Sequence, residues 1–146
     1  MYLYRAVDSE GNTIDFYLSK NRNAKSAKRF LKKALASCHS ATPRVITVDK
    51  NPAYPVAIKT LHEEKSIPVG VKLRQIRYLN NIVEQDHRFI KKCIRTMLSL
   101  KSFRTAKWIL AGIEAMHMMK KGQTSQGEKS VQNQVNLIHQ LFGIPA

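Results

Sequence analysis

The apolar residues of this chain change period early, from two to alternating threes and fours, and that change limits it to a mixed α/β fold. Tyr2-Leu3-Tyr4-Arg5-Ala6-Val7 and Thr13-Ile14-Asp15-Phe16-Tyr17-Leu18-Ser19 read as strands over 2–7 and 13–19, with Ile14, Phe16 and Leu18 marking the buried face by alternation. Asp8-Ser9-Glu10-Gly11-Asn12 between them is turn chemistry, with Gly11 or Asn12 available for positive φ, so the two strands form a hairpin. A helix is then expected from Asn23, a good N-cap, to Cys38, because Ala27, Phe30, Leu31, Ala34, Leu35 and Cys38 recur at helical steps. Lys25, Lys28, Arg29, Lys32 and Lys33 crowd the rest of that helix, which suits a solvated face and a DNA-facing one equally.

Pro43 separates this helix from a strand, Arg44 to Val48. Asn51-Pro52 then opens a helix to about residue 65, with Asn at the cap and Pro where its missing N–H costs nothing. Val71 to Arg77 reads as a short strand carrying Lys72, Arg74 and Arg77. Three helices follow, about Asn81 to Met97, Ser102 to Lys121 and Ser130 to Phe142, with a polar linker from Gln123 to Lys129. Phe103, Ala106, Leu110, Ile113 and Met116 are the expected core side of the second, and Val131, Val135, Ile138 and Phe142 share a face of the third. The order β-β-α-β-α-β-α-α-α calls for helices layered on strands of mixed direction.

At 146 residues there is room for one domain. Lys and Arg outnumber Asp and Glu by 25 to 10, a net charge of +15, and a polyanion, most commonly nucleic acid, is the natural partner. No RNA-module motif and no stacking aromatic pair on a basic strand is present, which disfavours a small RNA-binding protein. Cys38 and Cys93 have neither metal-type nor disulfide-type spacing and fall on apolar helix faces, so both are expected as buried thiols in a reducing compartment. Arg5 and Asp8 interrupt the start before any secretory signal forms, and the longest apolar run, Trp108 to Ile113, is too short for a bilayer. The expectation is a cytoplasmic protein without a membrane partner.

Two carboxylates stand out. Asp49 closes the apolar run Arg44 to Val48, and Glu84 lies early in a strongly amphipathic helix, with 34 residues between them. Taking 100° per residue, Glu84, His87, Arg88 and Lys91 fall within about 100° of arc, roughly opposite Leu79, Ile82, Val83, Ile90, Cys93, Ile94 and Met97. Glu84 can therefore face a site while its helix packs into a core. Hard cations such as Mg²⁺ or Mn²⁺ want carboxylate oxygens, and two such ions roughly 3.5–4 Å apart can activate a nucleophile and neutralise a leaving oxygen in phosphoryl transfer. Taken singly, Asp49 also reads as a turn residue and Glu84 as the partner of Arg88 one turn on. Asp86 lies within the apolar face, where an unpaired carboxylate is costly, so a buried hydrogen-bonded role is expected for it. His87, Arg88, Lys91, Lys72, Arg74 and Arg77 are the candidate DNA contacts.

The chain resembles the bacterial insertion-sequence transposases of the DDE type, in particular the insertion-sequence-six family. The resemblance rests on residues 2–19, on Ile46-Thr47 with Asp49-Lys50, on Arg74 to Asn81, on Glu84 with Asp86-His87, on Lys101-Ser102-Phe103 with Thr105-Ala106, on Gly112-Ile113-Glu114 and on Lys121-Gly122-Gln123. It implies an RNase H-like mixed sheet flanked by helices, occupying residues 1–122, with 123–146 as linker and C-terminal amphipathic helix. It also implies DNA transposition, with Asp49 as the second catalytic carboxylate, Glu84 as the third, both as ligands of Mg²⁺ or Mn²⁺ in a two-metal site, and Lys91 as the associated cation.

The resemblance places a first catalytic Asp on a strand just before the segment matching Tyr2-Leu3-Tyr4, and a helix-turn-helix further upstream. Residues 1–146 are accordingly expected to lack that central strand, and Asp8 and Asp15, which match family positions of their own, do not replace its Asp. What is expected is a catalytic-domain fragment, inactive alone, that binds DNA and associates with itself or with full-length transposase. The alternative is a basic DNA-binding or transposase-interacting module without catalysis.

Overall fold

A computed structural model describes residues 1–38, 42–76, 81–96, 102–123 and 130–144. Two compact units divide the chain, Met1–Lys92 and Cys93–Ala146.

In the first unit, β1 (Tyr2–Val7) and β2 (Thr13–Ser19) form the expected antiparallel hairpin. Gly11 takes the positive φ of the turn, at 84°, and the Asp8 carboxylate accepts the Glu10 and Asn12 backbone N–H groups at 2.9 and 2.8 Å. Helix α1 (Ala24–Ala36) starts where Asn23 accepts the Ser26 N–H at 2.9 Å. Strand β3 (Val45–Val48), helix α2 (Ala53–Glu63) and strand β4 (Lys72–Gln75) make a parallel β-α-β unit. Helix α3 (Asn81–Thr96) begins in this unit.

The mixed strand directions are as expected, but the strands do not form one sheet. Among the described residues there are two two-stranded sheets, β1–β2 and β3–β4. Every strand therefore keeps an edge without a ladder partner, which leaves backbone groups for water or another strand.

The core lies where α1 and α2 pack together over one face of the hairpin. Ala27, Phe30, Leu31 and Ala34 of α1 meet Ala57, Ile58 and Leu61 of α2, with Ile67 and Tyr4 closing the cluster. The Tyr4 ring is 5.4 Å from that of Phe30 and 6.2 Å from that of Tyr17, close enough for tilted aromatic packing. This corrects the expected buried face of the hairpin. Tyr4, Ala6 and Tyr17 belong to the main core, whereas Phe16 and Ile14 are only half-buried and Leu18 is buried outside that cluster. Leu18 and Phe16 pair with Leu3 and Arg5, so they share the other face, where a bulge between Ala6 and Val7 brings Thr13 to within 3.4 Å of the Arg5 guanidinium. Alternation gives two faces, and the tyrosines rather than the aliphatics decide which one meets the helices.

That second face carries a buried ion pair. Arg5 Nη1 lies 2.6 Å from Asp86 Oδ2 of α3, with the two side chains 0% and 8% exposed. The expected buried role of Asp86 is thus supplied by a partner 81 positions away.

The cations of α1 divide. Lys28 pairs with Glu64, and Lys33 with Asp15 at 2.7 Å, while Lys25, Arg29 and Lys32 stay exposed on one stripe. Cys38 lies beyond the end of α1, because Ser37 caps the helix and its hydroxyl donates to Asp15 at 2.9 Å. Both thiols are free and half-buried, a correction to the expected burial; partial burial still pushes the Cys38 thiol pKa up.

In the second unit, Ser102 caps α4 (Phe103–Lys120) by accepting the Thr105 N–H at 3.1 Å. Ala106, Leu110 and Ile113 are buried as expected, but Met116 is exposed and the polar Glu114 and His117 are buried. Arg104 lies 4.8 Å over the exposed Trp108 ring. Helix α5 (Val131–Phe142) buries no residue, and Gly143 ends it at φ 62°. Among the described residues no helix is long and apolar enough to cross a membrane. Arg77, Leu79, Met97 and linker residues 124–129 lie outside the described residues.

Candidate active site

Strand β3 ends at Val48, and the chain turns at once into α2, so Asp49 stands on the rim of a parallel β-α-β unit. Asp49 Oδ1 accepts the Asn51 N–H at 3.0 Å, and Asn51 Oδ1 accepts the Ala53 N–H at 3.0 Å, two successive Asx bonds that lead into α2. Gln75, the last residue of β4, sets its amide 3.3 Å from both the Asp49 and Asn51 carbonyl oxygens. The turn that carries Asp49 is therefore tied to the neighbouring strand.

A cleft of about 630 Å³ opens beside this turn, lined by Arg22, Asp49, Lys50, Asn51, Pro52 and Glu84. The two expected carboxylates do meet in one place. Glu84 projects from the first turn of α3, where the helix dipole favours a negative charge, and it is exposed there. The turn role weighed for Asp49 is real as well, since its Oδ1 holds the Asn51 N–H. Its Oδ2 accepts from Arg22 Nη2 at 3.3 Å.

Two buried or half-buried tyrosines, Tyr4 and Tyr54, feel the charge of Asp49. Burial chiefly, then the charge of Asp49, pushes the Tyr54 hydroxyl pKa well above its usual range, and Tyr4 moves the same way for the same leading reason. Their rings meet edge-on at 6.4 Å. Both hydroxyls stay neutral at ordinary pH, so the charge of the cleft comes from its carboxylates and cations.

The other candidates are placed apart from the cleft wall. Lys72 and Arg74 are exposed on the outer face of β4, where Arg74 donates to Thr47 Oγ1 at 3.1 and 3.0 Å. Arg88 and Lys91 are exposed on α3. His87 is half-buried, and its Nε2 has no hydrogen-bond partner among the described residues. Burial lowers its pKa from 6.5 to about 4, with repulsion from Arg5 and Lys91 adding to the effect and Asp86 opposing it. The ring is therefore neutral at pH 7 and adds no positive charge for DNA.

A histidine whose folded pKa is depressed stabilises fully above its unfolded pKa of 6.5 and loses that contribution as pH falls towards 4. For a half-buried ring the loss is on the order of 1 kcal/mol after solvent screening. His87→Gln is expected to lose less stability than wild type across this window in urea titrations.

Arg22, Asn51 and Gln75 were not legible as site residues. Arg22 is one cation among many in a loop, and the other two act through turn geometry that becomes specific only once β3 and β4 pair.

Hard oxygen donors facing one cleft suit a divalent cation, so Asp49 and Glu84 fit the metal that the resemblance implies, although Arg22 already holds one oxygen of Asp49. Among the described residues no cluster of three or more His, Cys, Asp and Glu side chains is present.

A family model described as a DDE domain matches residues 1–123, and the chain belongs to that family. More narrowly, it belongs with the insertion-sequence-six transposases. It is 36% identical over 120 residues to the transposase for insertion sequence-like element IS431mec of Staphylococcus aureus. The same identity relates it to the transposase for insertion sequence element IS257 in transposon Tn4003, also of Staphylococcus aureus. Each alignment covers 82% of this chain and 51% of the relative, so the chain spans about half the length of these transposases. An uncharacterised protein of Yersinia pseudotuberculosis is 39% identical over 64 residues, 43% of this chain and 60% of that protein. No solved structure matches the chain significantly.

Proposed function

We propose that residues 1–122 form a partial RNase H-like catalytic domain, with linker and helix over 123–146, that serves metal-dependent DNA strand cleavage and transfer at insertion-sequence ends. The observation that carries this reading is the meeting of Asp49 and Glu84 in one cleft within a DDE domain. Asp49 and Glu84 would hold a divalent cation, Mg²⁺ or Mn²⁺, which would supply Lewis-acid activation of the phosphodiester and of the attacking oxygen. Asn51 and Gln75 hold Asp49 in position, and exposed Lys72, Arg74, Arg88 and Lys91 bind the DNA backbone.

Two carboxylates alone hold such ions weakly, so the chain by itself is inactive in strand transfer. The test is an end-joining assay with Mg²⁺ or Mn²⁺ beside a Mn²⁺ titration. The expected result is no joined product, and weak Mn²⁺ binding that an Asp49→Asn/Glu84→Gln variant loses. Joined DNA would refute inactivity, and unchanged Mn²⁺ binding by the variant would refute the site.

The second reading, a non-catalytic DNA-binding or transposase-interacting module, is favoured by that same donor count. Both readings expect binding through phosphates. With about four contacts, the affinity for a short duplex falls roughly a hundredfold between about 50 and 200 mM salt, and Lys91→Ala lowers the salt slope by about one. Fluorescence anisotropy reads both, and a flat salt dependence counts against DNA as the partner.

A strand between β1 and β3 would join the two small sheets into one, as an RNase H-like sheet requires. Self-association, or association with full-length transposase, through these edges belongs to this reading. Sedimentation is expected to show species larger than a monomer, and a strict monomer with a single sharp unfolding transition would argue against it.

A further inference from the structure

Asp49 has two carboxylate oxygens in different service: Oδ1 is held by the Asn51 N–H at 3.0 Å, inside the turn, whereas among the described residues Oδ2 meets only Arg22 Nη2 at 3.3 Å. Oδ2 is thus the oxygen offered to the cleft, and a guanidinium occupies it. We propose that Arg22 is the counter-ion of Asp49 in the metal-free domain and exchanges partners on loading: the divalent cation takes Oδ2, and the freed guanidinium takes a phosphate of the DNA strand entering the cleft. This rests on the metal-site reading of Asp49.

Three features support the exchange. The pair is weak, because its side chains are 52% and 46% exposed and its separation exceeds the 2.7–2.9 Å of a strong charge-assisted bond. A divalent cation then displaces it readily. The backbone beside Arg22 is fixed, since Asn23 caps α1, so the side chain can swing while its root stays at the cleft. Finally, a planar guanidinium fits phosphate oxygens with two parallel hydrogen bonds, which makes it a suitable second partner.

The test is a Mn²⁺ titration of the purified chain, read by the electron paramagnetic resonance of free Mn²⁺, on wild type, Arg22→Met, Lys50→Met and Asp49→Asn. Lys50 serves as the control because it has the same charge, lines the same cleft and, among the described residues, pairs with no carboxylate. Arg22→Met is expected to tighten Mn²⁺ binding about three- to tenfold, and Lys50→Met clearly less. In anisotropy with a short duplex, Mn²⁺ should raise the DNA affinity of wild type, DNA should raise its Mn²⁺ affinity by the same factor, and Arg22→Met should lose most of that coupling. Equal gains from the two methionine variants would reduce the effect to net charge and overturn the exchange, as would no gain at Arg22. Mn²⁺ binding by Asp49→Asn at wild-type strength would instead overturn the metal site itself.

Discussion

Arg5→Met is expected to destabilise the chain by about 3–5 kcal/mol, the usual cost of stripping one partner from a buried ion pair. Methionine keeps most of the volume and removes the charge. Asp86, 8% exposed and 2.6 Å from the guanidinium, then loses that cation while it stays buried. Against a typical total of about 5–15 kcal/mol, this is a large fraction. Arg5→Met/Asp86→Leu is expected to recover most of the loss, because replacing both charges with apolar groups removes the uncompensated one. Urea midpoints at one fixed protein concentration check both statements, since association shifts apparent stability. A loss under about 1 kcal/mol for the single variant would mean that water reaches the pair.

The consequence extends to function. Asp86 is two residues from Glu84 on α3, so the pair anchors to β1 the helix turn that presents Glu84 to the cleft. Loosening it should also weaken any cation site that needs both Asp49 and Glu84.

The elements themselves were legible, because local chemistry sets their ends. The hairpin spans 2–7 and 13–19 as read, Asn23 and Ser102 are the caps, and Gly11 takes the turn. What sequence could not give is anything that depends on two distant segments meeting. Asp86 on an apolar face signalled a buried partner, but nothing near it names Arg5. Alternation in β2 marked Ile14, Phe16 and Leu18, yet the choice of face rests on Tyr4 packing against Phe30 of α1. Met116 and Cys38 fit helical phase and still came out exposed or half-buried, because phase says where a side chain points and not whether anything covers it there. In the cleft, the two carboxylates were legible by position and by resemblance, while Arg22 and Gln75 acquire roles only from neighbours 27 and 26 residues away.

Gln75→Leu should lower Mn²⁺ affinity about tenfold, the low end for residues that support metal ligands. Gln75 does not touch the Asp49 carboxylate. Its amide lies 3.3 Å from each of two carbonyl oxygens, those of Asp49 and Asn51, so it fixes the backbone from which the carboxylate projects. Leucine fills similar space but donates nothing, and both carbonyls then turn to water. The Asx bond from Asp49 Oδ1 to Asn51 loses its rigid frame, and the carboxylate must be reordered whenever a cation binds. Thr47→Val supplies the comparison. Thr47 lies on β3 two residues before Asp49, and among the described residues its hydroxyl accepts only from Arg74, so removing that hydroxyl leaves the turn intact and Mn²⁺ affinity within about twofold. If both variants bound Mn²⁺ as wild type does, the Asp49 turn would be rigid without its neighbour strand. If both weakened it equally, the effect would be general loss of stability in the β3–β4 pair, which urea midpoints on the same variants would reveal directly.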